Sequence, residues 1–255
     1  TNVYLAVKWE IHGNQWLAFD QFLGEAVVTG ETPWARDSEG RTWSDQDTLQ
    51  ARLRLNSLYG VDFGSQLVHD AVEAVARDNS FHPVRKYLQA LRWDGVPRLD
   101  TWLHRYLGAD ETKGGDCRLY LKLAGAWWMI GAVARVMKPG CRMDNVLIFE
   151  GKQGAYKSTA LSILAGEWFL DTPIVIGDKD GYQALRGKWI IELAELDSLN
   201  KAESTKAKAF FSSPKDSFRP SYGRRPVDCP RQCVFGGTTN EDSYMRDGTG
   251  NRRYW

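Results

Sequence analysis

The sequence predicts an α/β protein, a core built on a parallel sheet and preceded by a smaller α-rich α+β domain. Three observations predict it. Residues 144–159 pass from an apolar run, 145–149, through a glycine-bearing turn into Lys157-Ser158-Thr159, the order strand, loop, helix. A second apolar stretch, 187–197, ends in acids, and a third, 232–239, ends at Asn240. Short apolar runs between helical segments are the pattern of strands covered on both faces.

At 255 residues and 43% apolar content the chain can bury a sizeable core. A net charge of +1 excludes a global polycation, so any nucleic-acid surface must be local. The four cysteines contain no C-x-x-C pair, which favours reduced intracellular thiols. The most apolar segment, 119–137, has an uncharged core of only 123–134, short of the ~20 residues a membrane span needs, so it is expected to be a buried helix. No signal peptide is read at the start, and a chain that begins without Met and stops at Trp255 is expected to be a piece of something longer.

Taken in order, residues 16–20 and 25–29 read as a small hairpin, and 32–44 as a polar loop. His12 sits in a polar turn and reads as a surface residue. Ser44-Asp45-Gln46-Asp47 starts a helix that carries Leu49, Leu53, Leu55 and Leu58 on one face and ends at Gly60. A second helix is expected over 65–77, and the two beside the hairpin suggest a winged-helix-like unit. Residues 83–93 and 97–107 read as two more helices, each with proline in its first turn. The composition of 108–116 is that of a linker, which places the domain boundary near 114: an N-terminal domain over 1–114 and a core over 115–255, cut short at its C-terminus. A long helix over 117–138 leads into the strand at 145–149. A helix over 159–165, a strand over 168–176 and a helix over 178–186 follow.

The turn at 150–159 is laid out as a P-loop. Gly151 and Gly154 let successive N–H groups converge on one anion, Lys157 reaches β- and γ-phosphates, and the Ser158 hydroxyl holds Mg²⁺. The nucleotide-binding set is Gly151, Gln153, Gly154, Ala155, Tyr156, Lys157, Ser158 and Thr159. Tyr156 stands where the general pattern has its second glycine, which narrows the backbone choices of the loop.

A P-loop ATPase needs an acid-bearing strand beside the P-loop strand. On the alternation of 189–197, Glu195 at the strand end is the first candidate for the metal-side acid. Glu192, on the other face, is the second candidate, as water-orienting base or buried structural partner, and Asp197 is the third. Residues 201–212 read as an exposed helix. Over 215–231, five basic residues face two acids, an excess of three. Lys215, Arg219, Tyr222, Arg224 and Arg225 fit a basic, partly aromatic hairpin for single-stranded nucleic acid, and a solvated loop reads equally well. Asn240 fits a γ-phosphate sensor. Arg252 and Arg253, on a glycine-rich loop, fit an arginine finger reaching a neighbouring subunit's site.

These stretches in this order resemble the virulence-associated protein E family, phage and mobile-element proteins related to superfamily 3 helicases. The resemblance is carried by 81–85, by Trp93-Asp94-Gly95-Val96-Pro97-Arg98-Leu99-Asp100, by 150–159, 189–197 and 222–225, and by 236–255. It implies an AAA+-like P-loop ATPase of helicase type, with ATP and Mg²⁺ as cofactors. It also implies a homo-oligomeric ring, hexamers included, acting on single-stranded or forked DNA in the host cytoplasm, with no membrane partner. By position, Lys157 and Ser158 resemble the Walker A pair, Glu195 the Walker B acid, Asn240 the sensor and Arg252 or Arg253 the finger. His82 and Tyr182 fall on no motif position and read as structural. Two other readings compete: a nucleic-acid-binding module whose ATPase is vestigial because of Tyr156, and an ATP-driven switch acting on a protein partner.

Overall fold

The structure, a computed structural model, describes residues 2–13, 15–35, 40–110, 112, 116–174, 178–194, 201–219, 226–240 and 251–255. By compactness the chain divides into two units, Thr1–Tyr87 and Leu88–Trp255. The division falls well before 114 because the segment after it belongs to the second unit. The stretch that reads as a linker is only a connection between two helices packed on each other.

In the first unit, α1 (Asn2–Val7) runs into a wide helical turn at Lys8–His12. The expected hairpin forms as β1 (Leu17–Asp20) and β2 (Glu25–Val28), with Asp20 Oδ1 accepting from the backbone N–H of Phe22 and Leu23 to tighten the turn. The helices α2 (Asp45–Tyr59) and α3 (Ser65–Asp78) follow, and β3 (Ser80–Phe81) pairs parallel to β1, giving the sheet order β2-β1-β3. Ser44 caps α2 with a reciprocal bond to Asp47, and Gly60 at φ 65° ends it. The leucine stripe read from sequence is not the core face. Asp47, Thr48, Ala51 and Leu55 are buried, while Leu49, Leu53 and Leu58 are exposed. Asp47 explains the rotation. Arg41, Trp34 and Ser44 all donate to its carboxylate, so the helix turns a polar residue inward. Burial alone would raise the Asp47 pKa, yet these donors hold it well below the usual carboxylate range.

In α4 (Pro83–Ala90) proline occupies the first turn as expected. The helix expected over 97–107 shrinks to α5 (Trp102–Leu107). Before it, Asp94 takes a bidentate pair from Arg98 and accepts the Val96 N–H, and Gly95 at φ 84° completes a turn that a helix could not share. The long helix α6 (Cys117–Met137) covers the core sheet with one face only. Its Trp128 is buried, but Leu119, Leu123, Trp127 and Ile130 are exposed, so the helix is half-buried rather than buried. No helix of the described residues is long and apolar enough to cross a membrane.

The core strands are β4 (Val146–Glu150), β5 (Phe169–Leu170), β6 (Ile190–Ala194) and β9 (Val234–Thr239), all parallel in the order β4-β9-β6-β5. Between them lie α7 (Lys157–Ala165), α8 (Lys179–Ala184), α9 (Lys201–Ser212) and the antiparallel hairpin β7 (Lys215–Phe218) and β8 (Val227–Pro230). One face carries Ile191, Leu193, Val146 and Ile148 packed with Phe210 and Phe211 of α9. The other is covered by α6 and α7, where the indoles of Trp128 and Trp189 donate to the carbonyls of Phe235 and Ala132 at 2.9 Å each. Gly236 lets α7 approach. A β-carbon there would lie 2.7 Å from Leu161 Cδ2.

The acid-bearing strand β6 is therefore not beside the P-loop strand β4, since β9 lies between them. Distance along the sequence carries no information on lateral order in a parallel sheet. Only the register, Leu147 opposite Gly236 and Gly236 opposite Glu192, reveals it.

Candidate nucleotide site

Because the strands are parallel, the C-terminal ends of β4, β6 and β9 open on one edge of the sheet, where ligands of such folds bind. A cleft of about 600 Å³ lies there, lined by residues 153–159, Glu192, Ala194, Thr238, Thr239 and Asn240. The loop from β4 to α7 folds on itself. Ala155 N–H donates to the Lys152 carbonyl at 3.2 Å, and Gly151 N–H reaches the Thr239 carbonyl of β9 at 3.3 Å.

Lys157 opens α7 with all three of its ammonium protons engaged. Its Nζ donates to the Gly151 carbonyl at 2.7 Å, the Lys152 carbonyl at 3.0 Å and Asn240 Oδ1 at 2.9 Å. Ser158, one residue on, donates from Oγ to Glu192 Oε1 at 2.7 Å, and Thr238 Oγ1 donates to the same oxygen at 2.6 Å. Glu192 is 5% exposed, and hydroxyls rather than a cation partner its Oε1. Three strands and a helix thus bring together an ammonium, a hydroxyl, a carboxylate and a polar amide.

Tyr156 takes the left-handed conformation, φ 58° and ψ 27°, that a glycine would take without strain. For a residue with a β-carbon this costs about 1–2 kcal/mol. Among the described residues only Gln15 shares that property with it.

The sequence candidates fall in different places. Lys157, Ser158, Asn240 and the loop residues meet at the cleft. Glu192 meets them too, whereas Glu195 and Asp197 lie outside the described residues, as do Tyr222, Arg224 and Arg225. Of the hairpin's described basic residues, Lys215 Nζ pairs with Asp228 at 2.5 Å, which also accepts from Ser217. Arg231, fully buried, binds Asp216 through Nε at 3.1 Å and through Nη2, donates to the Phe210 carbonyl and lies over the Phe210 ring. Arg219 is exposed at the end of β7.

Arg252 and Arg253 lie at the far end of the sheet. Asn145 Nδ2 donates to the Arg252 carbonyl at 3.1 Å, and Tyr254 bridges parallel to Val146. The length of β4, five residues at about 3.3 Å each and so roughly 16 Å, separates them from the loop that follows it. Arg252 is exposed, and Arg253 Nε donates to Ser212 Oγ at 2.8 Å. The residue missed from sequence is Thr238. Its only signal is a hydroxyl near the end of an apolar strand, and nothing in the sequence ties it to Glu192.

A parallel sheet with a glycine-bearing loop and a lysine at the start of the next helix defines a P-loop-like α/β protein. The chain belongs to the virulence-associated protein E-like domain family, whose signature matches residues 88–255. The structure is similar to the apo structure of the NrS-1 C-terminal region (305–718), at 13% identity and a TM-score of 0.53, covering 96% of this chain and 59% of that one. A second form of that region matches at 14% identity and a TM-score of 0.51, covering 100% and 60%. The chain thus spans about three-fifths of those structures, and at these identities the likeness concerns the fold. No curated protein matches the sequence.

Proposed function

We propose that this chain is the motor part of an ATP-dependent DNA helicase or translocase of a phage or mobile element. The observation that carries the reading is the pairing of Ser158 with Glu192 at 2.7 Å, beside Lys157 held on Asn240. A serine hydroxyl and a carboxylate oxygen 2.7 Å apart beside a P-loop lysine are close enough to serve one small cation together. The donor set suits Mg²⁺, a hard ion that takes oxygen ligands, keeps several waters and needs only one or two protein groups beside the phosphates. Ser158 and Glu192 would hold it, which makes Glu192 the favoured metal-side acid. Once bound it supplies charge neutralisation at the phosphates.

The chain's own residues do the rest. Lys157 exchanges two carbonyls and an amide for phosphate oxygens, and the N–H groups at the start of α7 face the same anion. Asn240, released by Lys157, becomes available to the terminal phosphate or the attacking water. Arg252 lies too far from its own loop to serve it, so its place as a finger is at the site of an adjacent copy in a ring. The pairs of Lys215 with Asp228 and Arg231 with Asp216 fasten the base of the hairpin. We assign strand contact to Arg219, Tyr222, Arg224 and Arg225, a basic and aromatic set suited to phosphates and bases.

The test is steady-state ATP hydrolysis with and without single-stranded DNA. Lys157→Ala is expected to abolish turnover. The double change Arg224→Ala with Arg225→Ala is expected to lose DNA stimulation and keep basal hydrolysis. Hydrolysis surviving in Lys157→Ala would refute the site. The strained Tyr156 favours a second reading, a DNA-binding module with weak nucleotide grip, and that reading requires DNA affinity indifferent to ATP and to Glu192→Gln.

A further inference from the structure

The loop displays an aromatic side chain to solvent. Tyr156 is 79% exposed, so its backbone strain is not offset by packing in the core. Tyr156 nevertheless lines the same cleft as Lys157 and Ser158, and it is the one aromatic among the described residues that do so. The inner wall of that cleft is polar, formed by Glu192, Thr238, Thr239 and Asn240. Such a wall suits a polyphosphate carried with its cation and offers no π-face to a planar base. Tyr156 is followed on α7 by Thr159 at i+3 and Ile163 at i+7, both exposed, and Ile163 adds apolar surface there.

We propose that Tyr156 determines specificity at this site by stacking its ring on the base of a bound nucleotide. The inference rests on reading the loop as a nucleotide site. The phosphates occupy the helix start, the polar wall closes the inner side, and the nucleoside is left on the open side where the ring stands. Stacking of a base on an aromatic side chain is sequence-tolerant, so it selects nucleotides over bare polyphosphate more than one base over another.

The experiment is calorimetric titration, with Mg²⁺, of a non-hydrolysable ATP analogue and of inorganic tripolyphosphate. The proteins are the unmodified chain, Tyr156→Phe and Tyr156→Leu. Leucine keeps the β-carbon and hence the backbone strain, but removes the π-face. The expected result is that Tyr156→Phe binds the analogue like the unmodified chain and Tyr156→Leu binds it roughly tenfold more weakly, while tripolyphosphate affinity is the same in all three. Unchanged analogue affinity in Tyr156→Leu overturns the proposal, and so does an equal loss for both ligands, which would mean that the residue acts through loop shape. If the two variants weaken alike, the hydroxyl rather than the ring is responsible. A defect confined to self-association, seen by light scattering with nucleotide affinity intact, assigns the ring to a contact between copies instead. If the unmodified chain binds tripolyphosphate but the analogue no tighter, the ring's role fails and the phosphate site stands. If it binds neither ligand, the nucleotide reading itself falls.

Discussion

The cleft and the base of the β7–β8 hairpin both hold charged groups inside the same unit, and they hold them in opposite ways. At the cleft, Lys157 and Glu192 are satisfied by carbonyls, hydroxyls and an amide, neutral partners that can be exchanged when an ion or a phosphate arrives. At the hairpin base, Arg231 and Asp216 satisfy each other, with side-chain exposures of 1% and 5%, under the rings of Phe210 and Phe235. A charge that meets only neutral groups is available for work. A charge matched by its opposite in a dry pocket is committed to structure.

The sharpest way to break this comparison is to remove one member of the committed pair. Asp216→Ala leaves a buried guanidinium unpaired and is expected to cost about 3–5 kcal/mol, measured by urea unfolding. A cost below about 1 kcal/mol would mean that water reaches Arg231. Gly236→Ala tests the frame that sets the cleft. The new methyl meets Leu161, which has no exposed surface to retreat to, and a loss of about 1–3 kcal/mol in the same assay is expected. The smallest stability effect belongs to the cleft itself. Glu192→Gln keeps an oxygen for the two hydroxyls and should move stability by no more than about 1 kcal/mol, yet reduce ATP turnover about 10²-fold or more. If stability and turnover fell together, Glu192 would be a structural acid like Asp216.

Much of this was legible because it is local. The loop, its lysine and serine, the cap at Ser44 and the stop at Gly60 are signals that neighbouring residues carry by themselves. The hairpin at 215–230 was legible for the same reason, whereas the helix at 201–212, read as exposed, in fact buries Ala207, Phe210 and Phe211 against the sheet. The face of α2 was not, because Arg41 and Trp34 outcompete a leucine stripe by turning Asp47 inward. The strand ends at Asn240 and at 192–195 were visible as candidates, but alternation ranks side chains by face and cannot say which face meets α7. Glu192 is set against Ser158 by β9, a strand that enters the sheet about 40 residues after β6.

The sequence by itself determined the elements and the chemical inventory, since helix caps, glycine turns and apolar periodicity act over a few residues. Tertiary structure alone decided the partners. It put β9 between β4 and β6, gave Glu192 its two hydroxyls, locked Arg231 out of solvent and set Arg252 at the opposite end of β4 from the loop. The physical reason is that side chains far apart in sequence meet only after the sheet has chosen its strand order, and that choice comes from packing over the whole unit.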